Sequence, residues 1–113
     1  MSKPAYIAGS ATVPLRRYQN GSTWRDWVRD AGRGALADAR LLPTDIDALV
    51  VASESDFFSL QLAPGPVVAD ELGLAGVATT RVEGGGASGA LAVRTAHAML
   101  TAGFARAMAR PKL

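Results

Sequence analysis

Ser88 and His97 flank the start of an apolar, helix-like stretch in this 113-residue chain, just after the glycine-rich run Gly84-Gly85-Gly86-Ala87-Ser88-Gly89. A hydroxyl activated by an imidazole is a common acyl-transfer pair. The spacing argues against it here. Nine helical residues at about 1.5 Å each put the two side chains on the order of 13 Å apart, far beyond hydrogen-bond reach. His97 therefore reads as a helix histidine with a structural or interface partner. A serine-hydrolase elbow, G-x-S-x-G, is missed by one position. A P-loop is excluded because no Gly-Lys-Ser/Thr follows. Gly84-x-Gly86-x-x-Gly89 does match the dinucleotide fingerprint between a strand and a helix. However, no Asp or Glu follows Glu83, whereas that fingerprint needs an acid roughly 20 residues on for the ribose. What remains is backbone chemistry. The first N–H groups of a helix lack intrahelical partners, and small residues let a ligand approach them closely. Gly85, Gly86, Ala87, Ser88 and Gly89 are the candidate binding residues.

Elsewhere the sequence offers little chemistry. Glu54-Ser55-Asp56 is an acidic loop beyond the carboxyl end of a strand, where open α/β sheets bind ligands. With no histidine nearby it reads as a solvated loop. The chain has no cysteine, which excludes disulfides, thiolate zinc sites and a cysteine nucleophile; no metal ligand set is expected. The net charge of +2 is a property of the end of the chain. Without Arg106, Arg110 and Lys112 the sequence carries nine basic and ten acidic residues, so no nucleic-acid footprint is expected. No run of about 18 apolar residues suggests a membrane span, and Met1-Ser2-Lys3-Pro4 lacks a signal-like apolar region. The expected setting is cytoplasmic.

The elements that must position the glycine run follow from periodicity. Ala5 to Val13 reads as a small, apolar first strand ending at Pro14. Arg16, Arg17 and Asn20-Gly21 lie in a loop. Thr23, with Asp26 three residues on, opens a helix in a capping-box arrangement. Trp24, Trp27, Val28, Ala31, Ala35, Ala39 and Leu42 form its apolar face, and Pro43 stops it. Ala48 to Ser53 is an all-apolar second strand, as expected of one covered on both faces. Phe57 to Ala63 is irregular, with Phe57 and Phe58 able to cover a groove. Pro64-Gly65-Pro66 precedes a short helix over Val67–Leu72, with Gly73 as its C-cap. Val77 to Val82 is a third strand, and a helix runs from about Gly89 to Thr101. That helix is apolar nearly all round, the signature of a buried one. Strand, helix and strand in this order imply a right-handed βαβ unit and a parallel or mixed sheet with helices on both faces.

At the glycine run the sequence resembles the thiolase superfamily, most closely its sterol-carrier/lipid-transfer branch. Val82-Glu83-Gly84-Gly85-Gly86-Ala87-Ser88-Gly89 is similar to the family turn V-E-x-x-C-A-S-G. Ala5 to Gly9, Leu42 to Val50 and Val68 to Leu74 resemble the family's first strand, its helix–turn–second strand passage and the segment before the catalytic strand. The resemblance covers residues 4–103; residues 104–113 form a basic tail that does not match. It implies a partial thiolase-like half-domain and a protein acting on acyl-CoA thioesters. The family reactions are acyl transfer and thiolysis, or retro-aldol cleavage in members without cysteine. Coenzyme A then enters as part of the substrate, not as a cofactor. It also implies a homo-oligomer or a partner protein in the full-length family.

Gly86 stands at the family's nucleophile position, so no catalytic residue is assigned. The sheet reads as incomplete and the last helix as too apolar for the protein around it. The expectation is an N-terminal fragment without activity of its own. Two alternatives stay open: a non-catalytic module that packs its apolar helix and its Trp24/Trp27 face on a partner, and a coenzyme- or dinucleotide-binding glycine-rich module.

Overall fold

The computed structural model describes residues 3–14, 21–54 and 59–109. The element order is helix α1 (Trp24–Ala39), strand β1 (Ala48–Ala52), helix α2 (Pro64–Glu71), strand β2 (Ala78–Val82), helix α3 (Ser88–Thr101) and strand β3 (Met108–Ala109). Single 3-10 turns at Pro43–Asp45 and Gly85–Ala87 lead into β1 and α3. The strands lie in the order β2-β1-β3 and all pairs are parallel.

The organising element is β1. All five of its side chains are buried. Alternation sends Leu49 and Val51 to one face, where they pack with Val28 of α1, with Val68 and Ala69 of α2, and with Ile46, Leu72 and Leu74. It sends Val50 and Ala52 to the other face, against Ala92 and Ala96 of α3. The expected α/β architecture with helices on both faces of a parallel sheet is thus observed. A strand covered on both sides has no polar face, which is why its sequence lacks alternation.

Local signals explain the helix ends. The Thr23 N–H donates to Asp26 Oδ2 at 2.8 Å, the expected capping contact. Arg29 then ties the first turn of α1 to α2, with Nη1 3.2 Å from Glu71 Oε2. The helix stops at Ala39, earlier than Pro43, because Arg40 turns left-handed (φ 57°). The Leu41 N–H returns to the Leu36 carbonyl at 2.9 Å. Pro43 instead begins the 3-10 turn. Helix α2 starts at Pro64, three residues before the expected Val67. Prolines in a first turn forfeit no hydrogen bond and arrive with a helical φ. Gly73 caps it in the expected left-handed conformation (φ 69°).

The expected first strand over Ala5–Val13 is not a strand. The described part of this segment has no ladder partner and lies along α1. The Ser10 N–H donates to Asp38 Oδ2 at 2.9 Å. Gly9 is pressed so close that a Cβ on it would stand 2.6 Å from the Ala35 carbonyl oxygen. Tyr6 and Ile7 stay exposed. A second correction concerns the tail. Met108–Ala109 joins β1 as a parallel strand, where no further strand was expected.

The two tryptophans divide. Trp24 packs beside the core and donates Nε1–H to the Ser59 carbonyl at 3.0 Å. Trp27 donates to Ser22 Oγ at 2.8 Å. Arg16, Arg17, Asn20, Ser55 to Phe58, Arg110 and Lys112 lie outside the described residues. No helix among the described residues is long and apolar enough to cross a membrane.

Gly9→Ala is expected to lift the N-terminal segment off α1, since the added methyl meets backbone that cannot yield. Amide hydrogen exchange reads this at Ser10, whose N–H should exchange about tenfold faster as its bond to Asp38 is lost. Unchanged protection at Ser10 would refute the close packing.

Candidate functional site

The glycine turn sits at the carboxyl end of β2, and the register that pairs Ala52 with Val82 brings it level with the end of β1. Ser53 N–H donates to the Val82 carbonyl at 3.3 Å, which holds the two strand ends together. The chain then enters the turn with three glycines in three different roles. Gly84 gives clearance: a Cβ there would lie 2.2 Å from Leu91 Cδ1. Gly85 gives conformation, with φ 57°. Gly86 gives neither. Its φ is not left-handed, and nothing lies within 4 Å of where its Cβ would be. A side chain at Gly86 would stand in open space at the mouth of α3.

Ser88 holds this shape. It is fully buried. Its Oγ accepts the Gly84 N–H at 3.0 Å and donates to the Gly85 carbonyl at 2.7 Å. The Ala87 N–H closes the 3-10 turn on the Gly84 carbonyl at 3.1 Å. The hydroxyl therefore faces into the turn and works as its internal strut. Gly85, Gly86 and Ala87 are exposed and Gly89 is half-buried. The candidate binding residues are contiguous, and those on the surface present main chain rather than functional side chains.

The other candidates lie apart from the turn. His97 is exposed, two and a half turns along α3 from Ser88. Glu54 is exposed beyond β1, while Ser55 and Asp56 lie outside the described residues. Near the turn, the Glu83 carboxylate stands 3.9 Å from the Arg81 guanidinium. No acid occupies the first turn of α3. The partial positive charge of the helix start is thus not met by an acid within that turn. The sequence offers Ser88 as one of five candidate binding residues; that its hydroxyl is turned inward onto Gly84 and Gly85 is displayed only by the folded turn.

No family model matches the chain. It is similar, at 33% identity over 99 residues, to an acetyl-CoA acetyltransferase of Methanothermobacter thermautotrophicus, covering 83% of this chain and 26% of that one. It is 40% identical over 105 residues to the mycobacterial beta-ketoacyl-[acyl-carrier-protein] synthase III of Mycobacterium avium, covering 92% of this chain and 31% of the other. Two solved structures share its fold. One is the 3-oxoacyl-[acyl-carrier-protein] synthase III of Aquifex aeolicus VF5 (TM-score 0.70, 22% identity, 80% of this chain and 29% of that chain). The other is the corresponding synthase III of Pseudomonas aeruginosa PAO1 (TM-score 0.63, 27% identity, 75% and 25%). The chain thus spans less than a third of the length of the curated relatives it matches.

Two substitutions test the turn. Ser88→Ala removes both hydroxyl bonds and should lower the unfolding free energy by about 1–2 kcal/mol in a urea titration. No loss would mean that the strut carries nothing. Gly86→Cys should fold as the parent does. Its thiol at the start of α3 should alkylate with iodoacetamide severalfold faster at pH 7 than a cysteine placed at the exposed Ala98 near the other end of the helix, because the helix start favours the thiolate. Equal rates would show that the turn gives an anion no advantage.

Proposed function

Because this chain belongs to the thiolase superfamily, we propose that it represents the N-terminal part of a thiolase-like protein that handles acyl-CoA-type thioesters. We further propose that its glycine turn binds the thioester without forming a covalent acyl-enzyme. The observation that carries the second half is Gly86, which offers open space and main chain where a nucleophile would have to stand. Acyl transfer through the protein requires a thiolate or alkoxide at that point. The one hydroxyl in the turn, Ser88, is buried and committed to two hydrogen bonds. The chemistry left to these residues is electrostatic: N–H groups aimed at a thioester oxygen or a phosphate. Of the family reactions, cleavage that needs no protein nucleophile fits this turn best. The similarity to an acetyl-CoA acetyltransferase supports the substrate class. Coenzyme A enters in this reading as part of the substrate, and the setting is cytoplasmic.

One observation favours a second reading, that of a helix-packing module. Only Ser88, Ala92 and Ala96 of α3 are buried, and Val93, Ala90 and Ala98 face outward. The apolar sequence of α3 predicts burial all round, and the structure covers one stripe of it. A homo-oligomer or partner protein would cover the rest, within either reading.

Turnover of acetoacetyl-CoA with coenzyme A, or of a sterol-type hydroxyacyl-CoA, is expected to be absent with the purified chain. Calorimetric titration with acyl-CoA should still detect binding that Ser88→Ala weakens. Clear turnover of acetoacetyl-CoA would refute the non-covalent reading, and clear turnover of either substrate would refute the inactivity of this chain alone. Binding of NAD with no response to acyl-CoA would move the turn to the dinucleotide class.

A further inference from the structure

We infer that residues 104–109 form a separable strap on the edge of the sheet and that Asp47 is the latch that seats it. Strand β2 pairs with β1 over five residues, and among the described residues, which end at Ala109, β3 pairs over two. The Phe104 N–H donates to the Met99 carbonyl of α3 at 2.9 Å, and the next polar contacts of the strap gather on one residue just before β1. The Asp47 carboxylate accepts the Arg106 N–H at 3.0 and 3.2 Å and the Ala107 N–H at 3.1 Å. The Asp47 N–H in turn donates to the Ala107 carbonyl at 3.0 Å. These bonds set Met108 opposite Ala48. The sequence after Gly103 carries no β-branched residue, so a single carboxylate substitutes for the missing strand propensity.

Ala105 is buried and Ala107 touches the core, but Phe104 is 80% exposed. An open cleft of about 530 Å³, lined by Lys3, Tyr6, Leu100, Ala105 and Arg106, separates the strap from the N-terminal segment. Releasing the strap would bare the main-chain edge of Ala48 and Leu49, a surface that pairs readily with other chains.

The charges around the latch fix the direction of its pH dependence. Burial pulls the Asp47 carboxyl upward, but the Arg106, Ala107 and Asp47 N–H donors outweigh it and hold the group below the usual carboxylate range. Arg106 faces it from the strap, with Nε 3.9 Å from Oδ2, and is almost fully exposed. Asp45 on the preceding turn directs its carboxylate to the Leu42 N–H. A carboxyl depressed by folding contributes stability above its unfolded pKa and loses it as pH falls through the folded value. The latch is therefore closed at neutral pH and opens in acid.

Amide hydrogen exchange and ¹H–¹⁵N spectra of the full chain test this. In the parent chain, acidification should shift the Arg106 and Ala107 amide protons together and release them before Thr80 in the β1–β2 ladder. Asp47→Ala should speed exchange at Arg106 and Ala107 by about tenfold to a hundredfold at neutral pH, the loss of bonds to a charged acceptor, with Thr80 unchanged. Asp47→Asn keeps one acceptor oxygen and should retain part of the protection while abolishing its dependence on pH. Parent-level exchange in Asp47→Ala would overturn the latch. Simultaneous loss of protection at Thr80 and Arg106, in the acid series or in the variant, would overturn the strap as a separable unit. The acid series decides the matter even where the alanine variant does not fold.

Discussion

Everything described above depends on the burial of β1 from both sides. A strand with five enclosed side chains needs apolar cover on each face, and the chain supplies it in sequence order. Helices α1 and α2 close over Leu49 and Val51, and α3 closes over Val50 and Ala52. Leu49, Val50 and Val51 each contribute roughly 1.5–3 kcal/mol by full burial, so β1 and its cover supply much of what holds the domain. The parallel pairing with β2 then fixes where the glycine turn falls, because Val82 must lie beside Ala52.

That placement makes the turn a backbone site. Gly84 clears Leu91, Gly85 takes the left-handed φ, and Ser88 ties the two together from inside. Three neighbouring residues are thus spent on shape alone. Gly86 is the exception, and its freedom is the informative fact. Nothing in the packing demands glycine there, so the absence of a side chain alters the chemistry of the turn without altering its geometry. The shape of the turn is thus independent of what stands at position 86.

The same sheet shows why its edges are less well determined than its centre. The N-terminal segment has the composition of a strand, yet it settles on α1 through Gly9 and the Ser10–Asp38 bond. Residues 108–109 lack strand composition, yet Asp47 draws them into pairing. Helix α3 carries apolar residues around its circumference but meets a partner along one stripe. In each case local pattern records what a segment is suited to, and the neighbours available decide what it does.

The sequence by itself determined the centre of this protein: an apolar run for β1, a capping box for α1, a strand–glycine–helix passage, and a resemblance to thiolase-like proteins. Those features are local or periodic, and burial and capping impose them on short stretches that can be read directly. Tertiary structure alone decided the rest. Which glycine is forced and which is free depends on Leu91 and on a dihedral angle. Whether Ser88 faces out or in depends on the Gly84 and Gly85 main chain. The exchange of roles between the two ends of the chain depends on one carboxylate, Asp47, reaching residues about sixty positions away. No spacing rule encodes contacts of that separation, because they form only when the sheet brings distant segments to a common edge.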